Sequence, residues 1–143
     1  MKVKDVMTKD IAYVNADDNV ERAAQLMSEY NVGSVPVCKN GKVIGIVTDR
    51  DIALRSVAKG TECKNQTVRD IMTSNPVCGY PEQDIHDAAR VMSERQIRRL
   101  PIVENGTLVG MLALGDIAVE PTLSDNAEEA LKNISEPCSP SCS

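Results

Sequence analysis

Two rhythms of apolar and polar residues recur along this chain. In residues 20–27, Val20, Ala23, Ala24 and Met27 fall on one face of a 3.6-residue period. Ile85, Ala88, Ala89 and Met92 do the same in residues 85–92, so each stretch predicts an amphipathic helix. Asp18 or Asn19 precedes the first and Asp84 the second, residue types that cap helix N-termini. Apolar runs at 11–14 and 77–80 predict a short strand ahead of each helix. After each helix, two apolar runs flank Asn40-Gly41 or Asn105-Gly106, a dipeptide that favours a tight hairpin. A second helix is expected to start near Asp49 in one case and near Gly115 in the other, with Gly60 and Pro121 closing them.

The rhythm recurs because the chain is written twice. A shift of 65 positions lays residues 3–53 over 68–118 without a gap, and 16 of the 51 pairs are identical. "VKDVMT" meets "VRDIMT", "AAQLMSE" meets "AARVMSE", and "NGKVIGIVTDRDIA" meets "NGTLVGMLALGDIA". Each copy reads strand-helix-strand-strand-helix. A unit of about 60 residues buries too little surface to be comfortable alone, so the two copies are expected to pack through their sheets. The expected organisation is 1–60 for the first repeat, 61–67 for a polar linker and 68–121 for the second repeat. Residues 122–136 are expected to form a C-terminal helix with Ala127, Ala130, Leu131 and Ile134 on its apolar stripe, and 137–143 a loose tail. The fold class is mixed α/β (α+β).

Composition narrows the function. Apolar residues make up 42% of the chain but aromatics only 2%, so the core is aliphatic. A net charge of −5 with no basic tail argues against nucleic acid, which calls for a cationic footprint and stacking rings. The opening "MKVKDVMTKD" lacks the apolar centre of a signal peptide, and no apolar run approaches the ~18 residues of a membrane span. Five scattered cysteines suit a reduced compartment, so a cytoplasmic location away from membranes is expected. His86 is the only histidine and is expected on the outer helix face, which leaves no Ser-His-Asp or Cys-His set. No phosphate-cradling G-x-x-x-x-G-K loop is present. A non-enzymatic protein is expected.

One stretch carries chemistry of its own. In "GIVTDRDIALR", Thr48-x-x-Asp51 has the spacing of a capping box, in which each side chain satisfies the other's backbone N–H. A carboxylate in that place also suits a ribose diol, because it accepts two charge-assisted hydrogen bonds from adjacent hydroxyls. The second copy has Ala113 in place of the threonine yet keeps Asp116. An aspartate at a helix start gains ~0.3–1 kcal/mol from the dipole alone, so both roles stay open.

The ordered set of motifs resembles a tandem pair of cystathionine-β-synthase (CBS) domains, similar to short stand-alone bacterial CBS-pair proteins. The resemblance spans residues 3–119 and rests on three features, each present in both copies: "VMT" or "IMT" at each start, "VGSVPV" and "IRRLPIV" before the hairpins, and "GIVTDRD" and "GMLALGD" after them. It implies binding of an adenosine derivative (AMP, ADP, ATP or S-adenosylmethionine) between the repeats, reported to a protein partner. It also implies the residues. Cleft A would join Thr48, Arg50 and Asp51 with Val77, Ile97, Arg98 and Arg99. Cleft B would join Asp116 with Ala12, Val32, Gly33 and Ser34. In the family's pattern the aspartate takes the ribose, and basic residues before the proline, here found only in cleft A, take phosphate. Guanidinium forks match phosphate oxygens, and the places of Arg98 and Arg99 are held in the first copy by uncharged Gly33 and Ser34. Cleft A is therefore expected to be the stronger.

The resemblance further implies a homodimer through the second helices, for which Ile52, Leu54, Val57, Ile117 and Val119 offer apolar surface. Cys138 and Cys142 are spaced as half of a tetrahedral zinc site. Free thiols are the plainer expectation for that tail. A structural module with vestigial clefts and a metal- or redox-linked tail is the competing function.

Overall fold

The structure, a computed structural model, describes residues 1–118, 131, 132 and 134. The expected tail, with Cys138 and Cys142, lies outside the described residues, as does most of the expected C-terminal helix. Of that helix, Leu131, Lys132 and Ile134 are described and are helical. The chain is mixed α/β in class and divides into two compact units. The first-repeat unit holds Asp10–Val77 and Val103–Leu108. The second-repeat unit holds Met1–Lys9, Cys78–Ile102 and the described residues from Val109 onward. Repeats in sequence and units in space are thus different divisions. Each unit contains the opening "VMT" or "IMT" segment of the other copy.

In the first-repeat unit, β1 (Val14–Asn15) pairs parallel with β2 (Ser34–Lys39), which forms an antiparallel hairpin with β3 (Lys42–Thr48). The turn forms as its residues dictate, with φ +55° at Asn40 and +79° at Gly41. Between them, α1 (Val20–Tyr30) is capped by Asn19, whose side chain accepts the Arg22 N–H at 2.9 Å. Its apolar face buries Val20, Ala23, Leu26 and Met27 against Val35, Val37 and Val47; Ala24, expected on that face, is exposed, and Leu26 fills the core in its stead. The segment after the linker closes this core from below. Val68 and Ile71 are at most 1% exposed within it, each worth ~1.5–3 kcal/mol of burial. β4 (Thr73–Ser74) then pairs antiparallel with β3.

A close approach explains the repeated methionine and glycine. A Cβ on Gly45 would stand 2.5 Å from Met72 Sδ and 2.9 Å from the Thr73 carbonyl oxygen. On Gly110 it would stand 2.5 Å from Met7 Sδ. Only a bare Cα lets the crossing segment lie on the strand.

The second-repeat unit follows the same plan. α3 (Ile85–Arg95) is capped by Asp84, which accepts the His86 N–H at 2.8 Å, and buries Ile85, Ala88, Ala89 and Met92. β5 (Arg99–Glu104) and β6 (Thr107–Ala113) form the hairpin, whose turn, with φ +54° at Asn105 and +81° at Gly106, is counted in the first-repeat unit. The strand expected at 77–80 is reduced to one parallel bridge, Gly79 to Ile102. The reason is Pro81. In the first copy the aligned residue, Ala16, donates its N–H to the Cys38 carbonyl at 3.0 Å, and proline has no N–H to donate. The first-copy strand likewise lies at Val14–Asn15, later than the expected 11–14. Met1–Lys9 is held here by backbone bonds from Val3 N–H to Gln83 and from Lys4 N–H to Pro81, and by Lys2 and Lys4, whose ammonium groups both pair with Glu82.

Candidate functional site: the two strand-to-helix turns

Each hairpin delivers its second strand into a helix. In the first-repeat unit β3 runs into α2 (Asp49–Ile52), which continues as a π-helical turn over Ala53–Val57. The wider turn is seen in the Ala58 N–H, which donates to the Ala53 carbonyl at 2.9 Å. The capping box is complete. Thr48 Oγ1 accepts the Asp51 N–H and Asp51 Oδ2 accepts the Thr48 N–H, both at 3.0 Å. Asp51 is only 9% exposed, one of two buried polar residues among those described.

The same turn gathers residues from β2. Ser34 lies across from Thr48 in register, and the Asp49 N–H donates to the Gly33 carbonyl at 2.9 Å. A Cβ on Gly33 would meet Asp49 Oδ2 at 3.2 Å, so the small residue makes room for that carboxylate. Ala12 and Val32 are partly buried against the adjoining core. Arg50 is exposed and Val77 half-buried.

In the second-repeat unit β6 runs into α4 (Leu114–Ala118). Asp116 Oδ2 accepts the Ala113 N–H at 3.0 Å, the same bond that Asp51 makes to Thr48. With Ala113 the reciprocal bond has no acceptor, so half the box is kept. The Leu114 N–H donates to the Arg98 carbonyl at 3.1 Å, which places Arg98 and Arg99 beside this turn. Arg98 is exposed, while Arg99 and Ile97 are half-buried.

The groupings visible within each unit therefore run within a repeat. Gly33 and Ser34 accompany Thr48 and Asp51, and Arg98 and Arg99 accompany Ala113 and Asp116. Cleft A as expected from the resemblance takes Thr48, Arg50, Asp51 and Val77 from the first-repeat unit and Ile97, Arg98 and Arg99 from the second. Cleft B takes Asp116 from the second-repeat unit and its other members from the first. Sequence reasoning passed over Arg55. Its Nη1 lies 3.8 Å from Asp51 Oδ1 and donates to the Ile71 carbonyl at 3.0 Å. The available signal was the i,i+4 spacing from Asp51.

Among the described residues no group of three or more His, Cys, Asp or Glu is placed to hold a metal ion. Cys38 is buried, Cys63 and Cys78 are partly so, and burial pushes the Cys78 thiol pKa up. His86 lies exposed on α3. Among the described residues no helix is long and apolar enough to cross a membrane. Leu54 and Val57 are 51% and 62% exposed, as a surface role requires. Ile117 is fully buried, which corrects its expected place on that surface: it packs inward from α4 as a core residue. Val119 lies outside the described residues.

Comparison with known proteins agrees with the motifs. The CBS domain family model matches residues 3–57 and 68–121. The CBS domain-containing protein YhcV of Bacillus subtilis is 44% identical over 133 residues, 93% of this chain and 94% of YhcV. Among solved structures, Hypoxic Response Protein I with two coordinated zinc ions matches with a TM-score of 0.77 and 28% identity, over 84% of this chain and 98% of that one. CBSX2 in complex with AMP matches with a TM-score of 0.71 and 31% identity, over 87% and 97%. Two matched repeats, and a relative aligned over more than nine-tenths of both chains, lead to one conclusion: this chain belongs to the CBS domain family and carries the domain twice in tandem.

Proposed function

We propose that the protein is a non-enzymatic regulatory module that binds an adenosine derivative and reports its presence to a protein partner. AMP, ADP, ATP and S-adenosylmethionine are the candidate ligands. The observation that carries the proposal is Asp51, a nearly buried carboxylate at the start of α2 in a chain that resembles an AMP-bound CBS pair. One of its oxygens is occupied by the cap, and the other suits a ribose hydroxyl. Thr48 and Arg50 accompany it on the same turn. Ile97, Arg98 and Arg99, with Val77, supply the apolar and phosphate-binding remainder of cleft A. Asp116 with Ala12, Val32, Gly33 and Ser34 forms a weaker cleft B, because position 113 has no hydroxyl and the strand residues it takes before Pro36 are uncharged. Replacing Arg98 and Arg99 together is expected to weaken AMP and ATP while sparing adenosine, which has no phosphate.

A thermal-shift titration with the four ligands tests this. A ligand at 100 times its dissociation constant stabilises by about 2.7 kcal/mol. No shift with any of them favours the second reading, an interaction module with vestigial clefts. That reading has one observation behind it: the Thr48 and Asp51 side chains satisfy each other's backbone without any ligand.

The working form is proposed to be a homodimer, supported by Leu54 and Val57 on the exposed side of the π-helical turn. Light scattering at micromolar concentration is expected to give twice the mass of one chain, and a single-chain mass excludes it.

A further inference from the structure

We infer that Arg55 is a positioning residue of the Asp51 site, holding the carboxylate through the oxygen that the cap leaves over. The inference rests on Asp51 as the ribose-holding group. Asp51 Oδ2 is committed to the Thr48 N–H at 3.0 Å, and Arg55 Nη1 stands 3.8 Å from Oδ1. The two residues are spaced i,i+4, which stacks them on one helix face. What distinguishes this pair from an ordinary surface ion pair is the anchor on the arginine. The same Nη1 donates to the Ile71 carbonyl at 3.0 Å and reaches that of Met72 at 3.5 Å.

The guanidinium is thus also held by the backbone of the crossing segment. A planar fork held in this way loses little further freedom when it orients a carboxylate. The Arg55 side chain keeps 49% exposure while that of Asp51 keeps 11%, so the cation lies on the solvent side of the acceptor. The wider π-helical turn over Ala53–Val57 carries Arg55 to this place.

The sequence has the same asymmetry as the clefts. Four residues after Asp116 stands Glu120, a carboxylate where the first copy has the guanidinium. Arg55 therefore belongs with Thr48 among the features that make the first aspartate the better ribose acceptor. Because it is tied to Ile71 and Met72, it also connects that acceptor to the segment leading to Val77.

The test is calorimetric titration of the full chain with adenosine and with AMP, for the wild type and for R55Q, R55K, D51N and the R55Q/D51N double variant. R55Q is expected to weaken both ligands by the same factor, about tenfold, which corresponds to ~1.4 kcal/mol. R55K keeps the charge and is expected to bind between R55Q and wild type. In the D51N background R55Q is expected to cost nothing further. A loss confined to AMP would make Arg55 a phosphate contact and overturn the inference. Wild-type affinity in R55Q, with adenosine binding still lost in D51N, overturns it and leaves the ribose role of Asp51 intact. If R55Q does not fold, R55K decides, and full wild-type affinity there overturns the inference. A wild-type chain that binds neither ligand overturns both readings.

Discussion

Thr48 and Asp51 are joined by two reciprocal hydrogen bonds of 3.0 Å, whereas Ala113 and Asp116 keep only one. The difference has an energetic consequence that needs no ligand. Asp51→Ala removes an acceptor and leaves the Thr48 N–H without its partner, so a loss of ~0.5–2 kcal/mol is expected. Thr48→Ala removes the other half and lands at the lower end of that range. Asp116→Ala costs less than Asp51→Ala, because each aspartate accepts one backbone N–H but Asp51 is the more buried of the two and also faces Arg55. Urea denaturation of the three variants checks the order. A larger loss at Asp116 contradicts it.

Gly45 offers a test of the crossing segment. Alanine there brings a Cβ to 2.5 Å from Met72 Sδ and 2.9 Å from the Thr73 carbonyl oxygen. The methionine can swing aside, but the backbone oxygen cannot without parting β4 from β3. A loss of ~1–3 kcal/mol is expected. Gly115→Ala, whose Cβ would have nothing within 4 Å among the described residues, is expected to be neutral or slightly stabilising. Equal melting temperatures for the two variants would mean that the close approach carries no strain.

The pH dependence of stability contains a contribution from Glu82. Hydrogen bonds from Lys2 and Lys4 lower its pKa from 4.5 to about 2, and Glu82 in turn raises that of Lys4. A depressed carboxylate pKa stabilises the fold above the unfolded value, and this contribution fades as pH falls from 4.5 toward about 2. The groups are exposed, so salt screens the effect. Glu82→Gln is expected to melt below wild type at neutral pH in low salt. The gap should close on acidification through that window and shrink in high salt. A gap that persists at low pH contradicts the assignment.

Much of this was legible in the chain itself. The helix faces, apart from Ala24, the caps at Asn19 and Asp84 and the two Asn-Gly hairpins follow from residue type and spacing, because each depends on neighbours within four residues. The first strands were placed less well. Whether they pair depends on partners more than twenty residues away, such as Cys38 for Ala16, and on the N–H that Pro81 lacks. The exchange of opening segments between units was not legible either, since Val3 and Val68 are apolar whichever core they enter. At the site, Thr48-x-x-Asp51 announced itself by spacing. Arg55 did not, because its importance lies in the carbonyls of Ile71 and Met72, and any residue supplies a carbonyl.

The most direct measurement of the central claim is a calorimetric titration of AMP into wild type, Asp51→Ala and Asp116→Ala. Losing a charge-assisted bond to ribose costs on the order of 1.5–3 kcal/mol, about ten- to a hundredfold in affinity. Asp51→Ala is expected to lose the tighter site by that factor while remaining folded, and Asp116→Ala to change it far less. Equal losses in the two variants would contradict the unequal clefts. An Asp51→Ala chain that melts lower yet binds AMP as wild type does would leave Thr48 and Asp51 as a helix cap alone.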